Sequence, residues 1–194
     1  MRRSSNGGIP GRLVEPGPLT PSGLPWPIGT STTVQWITDG TVADGTIATA
    51  IPPLFPAYAT IVEPDDDSPI DIRDQERAIV DRLAEHGSTQ WWLGYLDTGV
   101  HDVVFADAGR VLMYWEWPYV LVQAGPDQAL DWRGMLPDLI FPLDRSWLFS
   151  MLWDDEWTCV GGPTNLIDSL AGDPVINARR VRLRADPTPP SHVF

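Results

Sequence analysis

The chain has 194 residues, 43% apolar and 20% charged, with 26 acids against 13 cations for a formal charge of −13. These proportions fit one folded domain with its own core and exclude a disordered chain. Every cation is an arginine, which excludes a Schiff-base or phosphate-loop lysine, and the single cysteine, Cys159, excludes an internal disulfide and a cysteine-built zinc site.

Residues 1–30 are rich in proline and glycine and read as a flexible arm, the folded domain spans 31–185, and 186–194 is a proline-containing tail. Thr33–Thr38 (TVQWIT) has strand composition and stops at Asp39-Gly40. Residues 44–51 suit a short helix ended by Pro52-Pro53, and Ala57–Val62 suits a strand. The main helix covers Pro69–His86, with Ser68 as N-cap and Gly87 as its stop. Ile72, Ile79, Val80, Leu83 and Ala84 recur on one face at helical spacing. Strands follow at Trp91–Leu96, Asp102–Ala106, Val111–Trp115 and Tyr119–Ala124, separated by turn residues. After an ambiguous stretch at 127–136 come Ser146–Trp153 and Trp157–Gly161, a short helix near Thr164–Ala171, and a helix-to-strand piece over Val175–Arg184. Sequential strands with helices outside them predict an α+β fold: a single domain with a mainly antiparallel sheet and helices packed on one face.

Within this pattern the segment Trp147–Gly161 stands out, because two strand-like runs flank the acids Asp154-Asp155-Glu156. Read as a three-residue hairpin loop, it sets Trp153 across from Trp157 and Met151 across from Cys159, with Trp147 and Phe149 on the same face. Such an aromatic face is core material. Its tip, formed by Trp153, Asp154, Asp155, Glu156 and Trp157, is the candidate binding site, where indole and carboxylate together suit a cationic partner. Adjacent carboxylates on a tight turn splay apart, so no metal is expected there, and Asp65-Asp66-Asp67 reads as a solvated loop before the main helix.

Other constellations are thinner. His86 falls in the last turn of the main helix and suits a capping role. His101, followed by Asp102, is the one histidine with a plausible site role; with Cys159 and Asp154 it defines the alternative reading, a small hydrolase or ligand-binding domain. Arg180, Arg182 and Arg184 alternate along a strand, which suits a charged edge. Gly161-Gly162-Pro163 before a helix suggests an anion nest, weakened by the donor that Pro163 lacks. The chain lacks the signatures of serine hydrolases, zinc proteases, phosphate-loop enzymes and dinucleotide-binding folds.

Three blocks carry a resemblance: Ile51–Thr60, Trp91–Gly99, and Asp144–Leu148 continuing through Leu152–Gly162. They resemble acidic, tryptophan-rich proteins of GC-rich actinobacteria. No activity is assigned to that group, so the resemblance implies no functional residues. Size and acidity are also similar to immunity proteins of bacterial toxin systems, an analogy of composition alone.

Charge sharpens the functional expectation. Residues 31–178 hold six arginines against twenty-four acids, a net −18 that repels phosphate backbones and attracts a basic protein. With no apolar run after Arg2 and Arg3 and no long apolar stretch elsewhere, a cytoplasmic protein without nucleic-acid or membrane contact is expected. The reading is a non-enzymatic, cofactor-free, protein-binding module, immunity-type or regulatory, with a basic protein as partner.

Overall fold

The fold is anchored by the amphipathic helix α2 (Ile72–Ala84), whose Asp71 side chain accepts the Arg73 N–H at 2.8 Å and caps its first turn. Capping thus falls three residues later than Ser68, because Ser68 instead closes a local turn by accepting the Ile70 N–H. In the computed structural model, which describes residues 17, 19–65, 67–99, 104–152 and 157–188, α2 packs on a sheet of eight strands. The strands are β1 (Ala57–Val62), β2 (Trp91–Leu96), β3 (Val111–Met113), β4 (Trp117–Ala124), β5 (Leu139–Pro142), β6 (Leu148–Met151), β7 (Trp157–Gly162) and β8 (Ala178–Val181). Their order is β3-β4-β2-β5-β6-β7-β1-β8, and every neighbouring pair is antiparallel. The chain is a single α+β domain. No described helix is long and apolar enough to cross a membrane.

Alternation along the strands divides the core in two. Leu93, Val120, Ile140, Phe149 and Val160 belong to a cluster with Ile79 and Leu83 of α2, Ala129 of α3 (Pro126–Asp131) and Leu166 and Leu170 of α4 (Thr164–Gly172). Trp91 and Trp147 meet edge to face in it at 5.2 Å. The alternate residues Leu121, Leu139, Phe141, Leu148 and Cys159 form the second cluster. It is covered by α1 (Ser31–Thr38), the 3-10 turn Ile47–Thr49 and Ile51. The three helices on the first face are therefore joined by a thinner, irregular cover on the second.

Several sequence expectations change here. Thr33–Thr38 is helical, not a strand: the Thr33 hydroxyl accepts the Thr30 N–H at 3.0 Å, and Val34 and Ile37, three apart, are both buried. Tertiary burial at helical spacing outweighs the β-branched composition. Val104–Asp107 forms turns rather than a strand, and Val111–Trp115 shortens to β3. β5 had no sequence assignment; its four residues are all buried, so no alternation marks it. Residues 26–29, assigned to the arm, lie along β4. Gly29 N–H donates to Leu121 O at 2.8 Å, Gln123 N–H to Pro27 O at 2.9 Å, and Trp26 packs edge-on against Trp132 at 4.8 Å.

The β6–β7 register also corrects the hairpin reading. Met151 pairs with Thr158 and Ser150 with Cys159, one residue away from the expected Met151–Cys159 match. A one-residue slip exchanges faces. Trp147 and Phe149 therefore lie in the first cluster, whereas Cys159 and Trp157 belong to the second. Gly161 and Gly162 form no anion nest. They end β7, and a Cβ on Gly161 would stand 2.5 Å from both Ile51 Cγ2 and Phe55 Cδ2.

Gly161→Ala should cost about 1–3 kcal/mol in urea unfolding, because the second-face cover must lift to admit the methyl group. The Asp138 carboxylate, at 15% side-chain exposure, accepts the Leu96 N–H at 2.8 Å and an Arg133 N–H at 2.9 Å. Burial holds its pKa above the ordinary 3.8. A folded pKa above the unfolded one favours the fold at acid pH and loses that contribution as pH rises through it. Arg133→Ala should therefore destabilise by about 3 kcal/mol at neutral pH. The deficit should shrink on acidification, as denaturation at a series of pH values would record.

Candidate functional site

The second face is covered by chain rather than by long helices, and its cover leaves a groove of ≈ 400 Å³. Cys159 and Leu152 form its floor and Trp157 one side. The 43–50 segment is one wall, and Pro187 and Thr188 are the other. Both walls are fixed by hydrogen bonds. Asp44 Oδ1 accepts from the Thr46 N–H at 3.0 Å and its hydroxyl at 2.6 Å, while Thr49 Oγ1 accepts the Gly45 N–H at 3.1 Å. Opposite, Arg179 donates to the Pro187 and Thr188 carbonyls at 3.2 and 2.8 Å and to Thr60 Oγ1 at 3.1 Å. The Ile47 N–H donates to Ala185 O and ties the two walls together.

Trp115 stands at the mouth, 49% exposed, with its ring 5.0 Å from that of Trp117. It is presented by a turn in which Tyr114 (φ 52°) and Glu116 (φ 64°) both adopt the left-handed region, unusual for residues other than glycine. The Tyr114 hydroxyl anchors that turn: it lies 2.6 Å from Ser150 Oγ and 3.1 Å from Ala50 O, and burial pushes its pKa up. Trp115, Ala43 and Thr49 also line a smaller adjoining cleft with Thr38, Thr41 and Tyr114, so the groove continues past the indole.

Two carboxylates sit beside the groove walls. Thr46 holds the Asp44 pKa below its ordinary value, and Thr188 does the same for Asp186, through hydroxyl and backbone bonds in each case. Both acids stay ionised through the physiological range, Asp44 within the electrostatic reach of Arg184 and Asp186 within that of Arg179. Arrangements of this type receive guanidinium and ammonium groups.

Of the sequence-predicted site, Trp157 lines the groove, partly exposed, while Trp153, Asp154, Asp155 and Glu156 lie outside the described residues. His101 lies outside them as well, so the expected grouping of His101, Cys159 and Asp154 is represented by Cys159 alone. That thiol is 2% exposed within an apolar cluster, which suits a structural cysteine better than a nucleophile. The described residues contain no group of three His, Cys, Asp or Glu side chains able to hold a metal. His86 receives the Trp147 indole N–H at its carbonyl, and its ring stands 3.4 Å from the Asn165 amide. Of the arginine triplet, Arg180 alone lies in the edge strand β8, where it pairs with Asp168 of α4. Trp115 and the two walls escaped the sequence reading. The available signal was Trp115-Glu116-Trp117 between two strands, two indoles and an acid at a turn.

No family model matches the chain, and neither the curated proteins nor the solved structures contain a match to it.

The carboxyl carbons of Asp44 and Asp186, followed by NMR titration, should have midpoints below 3.8. Thr46→Ala should return Asp44 toward that value while leaving Asp186 unmoved.

Proposed function

We propose that this protein is a non-enzymatic binding module, immunity-type or regulatory, that acts in the cytoplasm and receives a basic segment of another protein in the Trp115–Trp157 groove. The observation that carries the reading is the half-exposed Trp115 at the mouth of a pre-bonded groove whose two wall segments carry Asp44 and Asp186. An arginine or lysine of the partner stacks on the indole, and the fixed carboxylates compensate its charge. The groove walls are held before binding, so little ordering entropy opposes association. The body's net charge steers a basic partner in and repels nucleic acid.

Arginine- and lysine-bearing decapeptides, compared by calorimetry with neutral isosteres, provide the test. Cationic peptides should bind saturably, with affinity falling steeply from about 50 to about 500 mM salt. Trp115→Ala should weaken binding at least tenfold, about 1.4 kcal/mol, with unfolding unchanged because the side chain is half exposed. Equal affinity for charged and neutral peptides, or indifference to Trp115→Ala, would sink the reading.

A further inference from the structure

A second cleft, of ≈ 380 Å³, opens at the other end of the same sheet face, among Trp36 of α1, Leu54, Phe55, the β5–β6 turn at Arg145 and Ser146, and Pro163. Ile51 and Phe55, packed over Gly161, separate it from the Trp115 groove. Its lining is apolar apart from Ser146 and Arg145, whose guanidinium lies over the Trp36 ring at 5.6 Å.

Two observations bear on what this cleft accepts. Arg145 forms no ion pair with any described carboxylate, in a chain where acids outnumber cations two to one. Its neighbour Asp144 is engaged elsewhere, accepting the Ser146 N–H at 3.0 Å. Second, Arg145 has φ 57° and donates its N–H to Pro142 O, the left-handed position of a hairpin turn that glycine or asparagine normally takes.

We infer that this cleft binds a small carboxylic acid, with its aryl or branched-alkyl body against Trp36, Leu54 and Phe55 and its carboxylate on the Arg145 guanidinium. The volume is that of a small-molecule site. One planar cation, with no ion pair to a described carboxylate, suits a single carboxylate. A phosphate group would bring up to two charges into a body of net −13 and gain only one partner. The inference is independent of the groove reading, because the two clefts share no lining residue.

Phenylbutyrate and phenylbutyramide, differing only in charge at the acid end, are the probes, followed by ligand-observed NMR and calorimetry on the full chain. The acid should bind saturably and at least tenfold more tightly than the amide. Arg145→Gly should abolish that difference while raising Tm by about 2–4 °C, since glycine relieves the left-handed position. Arg145→Gln, which keeps the stem over Trp36 without the charge, should lose binding equally. Trp115→Ala should leave phenylbutyrate affinity unchanged, so that failure of one site is distinguishable from failure of the other. Equal affinity for acid and amide, or unaltered phenylbutyrate binding in both Arg145 variants, overturns the inference.

Discussion

The central strands of this sheet carry apolar side chains on both faces, so the fold is stable only if both faces are covered. All four residues of β5 are buried, as are five of the six in β7. Leaving either face wet would forfeit roughly 1.5–3 kcal/mol for each large side chain exposed. Helices α2, α3 and α4 meet that requirement on one side by ordinary amphipathic packing. On the other side the cover is α1, one 3-10 turn and the two chain segments around 43–56 and 182–188. Irregular chain must also satisfy its own backbone, which explains the density of Thr–Asp and Arg–carbonyl bonds there.

An irregular cover does not tile a sheet, and the two gaps it leaves are the two clefts. The close contact of Ile51 and Phe55 with Gly161 is the divider between them. Their chemistry is opposite in sign. One is bordered by carboxylates held ionised by threonines, the other by a guanidinium with no described carboxylate partner. Of the five described non-glycine residues with positive φ, Tyr114, Glu116 and Arg145 all belong to turns that border these clefts. Backbone strain is thus concentrated where side chains are presented to solvent-filled space, as expected when presentation rather than packing sets the residue choice.

Much of the scaffold was legible from spacing alone. The α2 period and the short helix after Gly162 follow from apolar recurrence, and β1, β2 and β4 from apolar, β-branched or aromatic runs bounded by turn residues. The misreadings share a cause. Thr33–Thr38 looks like a strand because its residues are β-branched, yet only the packing of Val34 and Ile37 decides its conformation. β5 is invisible because burial on both faces removes alternation. The candidate site was legible only as far as Trp157, since Trp115 and the walls at 43–50 and 187–188 converge from segments more than sixty residues apart.

The segment around Trp157 shows where the division falls. Sequence by itself determined that two apolar runs flank an acidic stretch, that they pair as antiparallel strands, and that the chain carries a strongly negative body with arginine as its only cation. Which tryptophan faces which side was decided only in three dimensions. β6 pairs with β5 on one side and with β7 on the other, and β7 pairs in turn with β1, so the β6–β7 register sits inside the sheet rather than in an isolated hairpin. A shift of one residue carries no local signal in composition, yet it reverses every side chain across the sheet. That reversal moves Trp157 and Cys159 away from the helices and onto the thinly covered face where the groove lies.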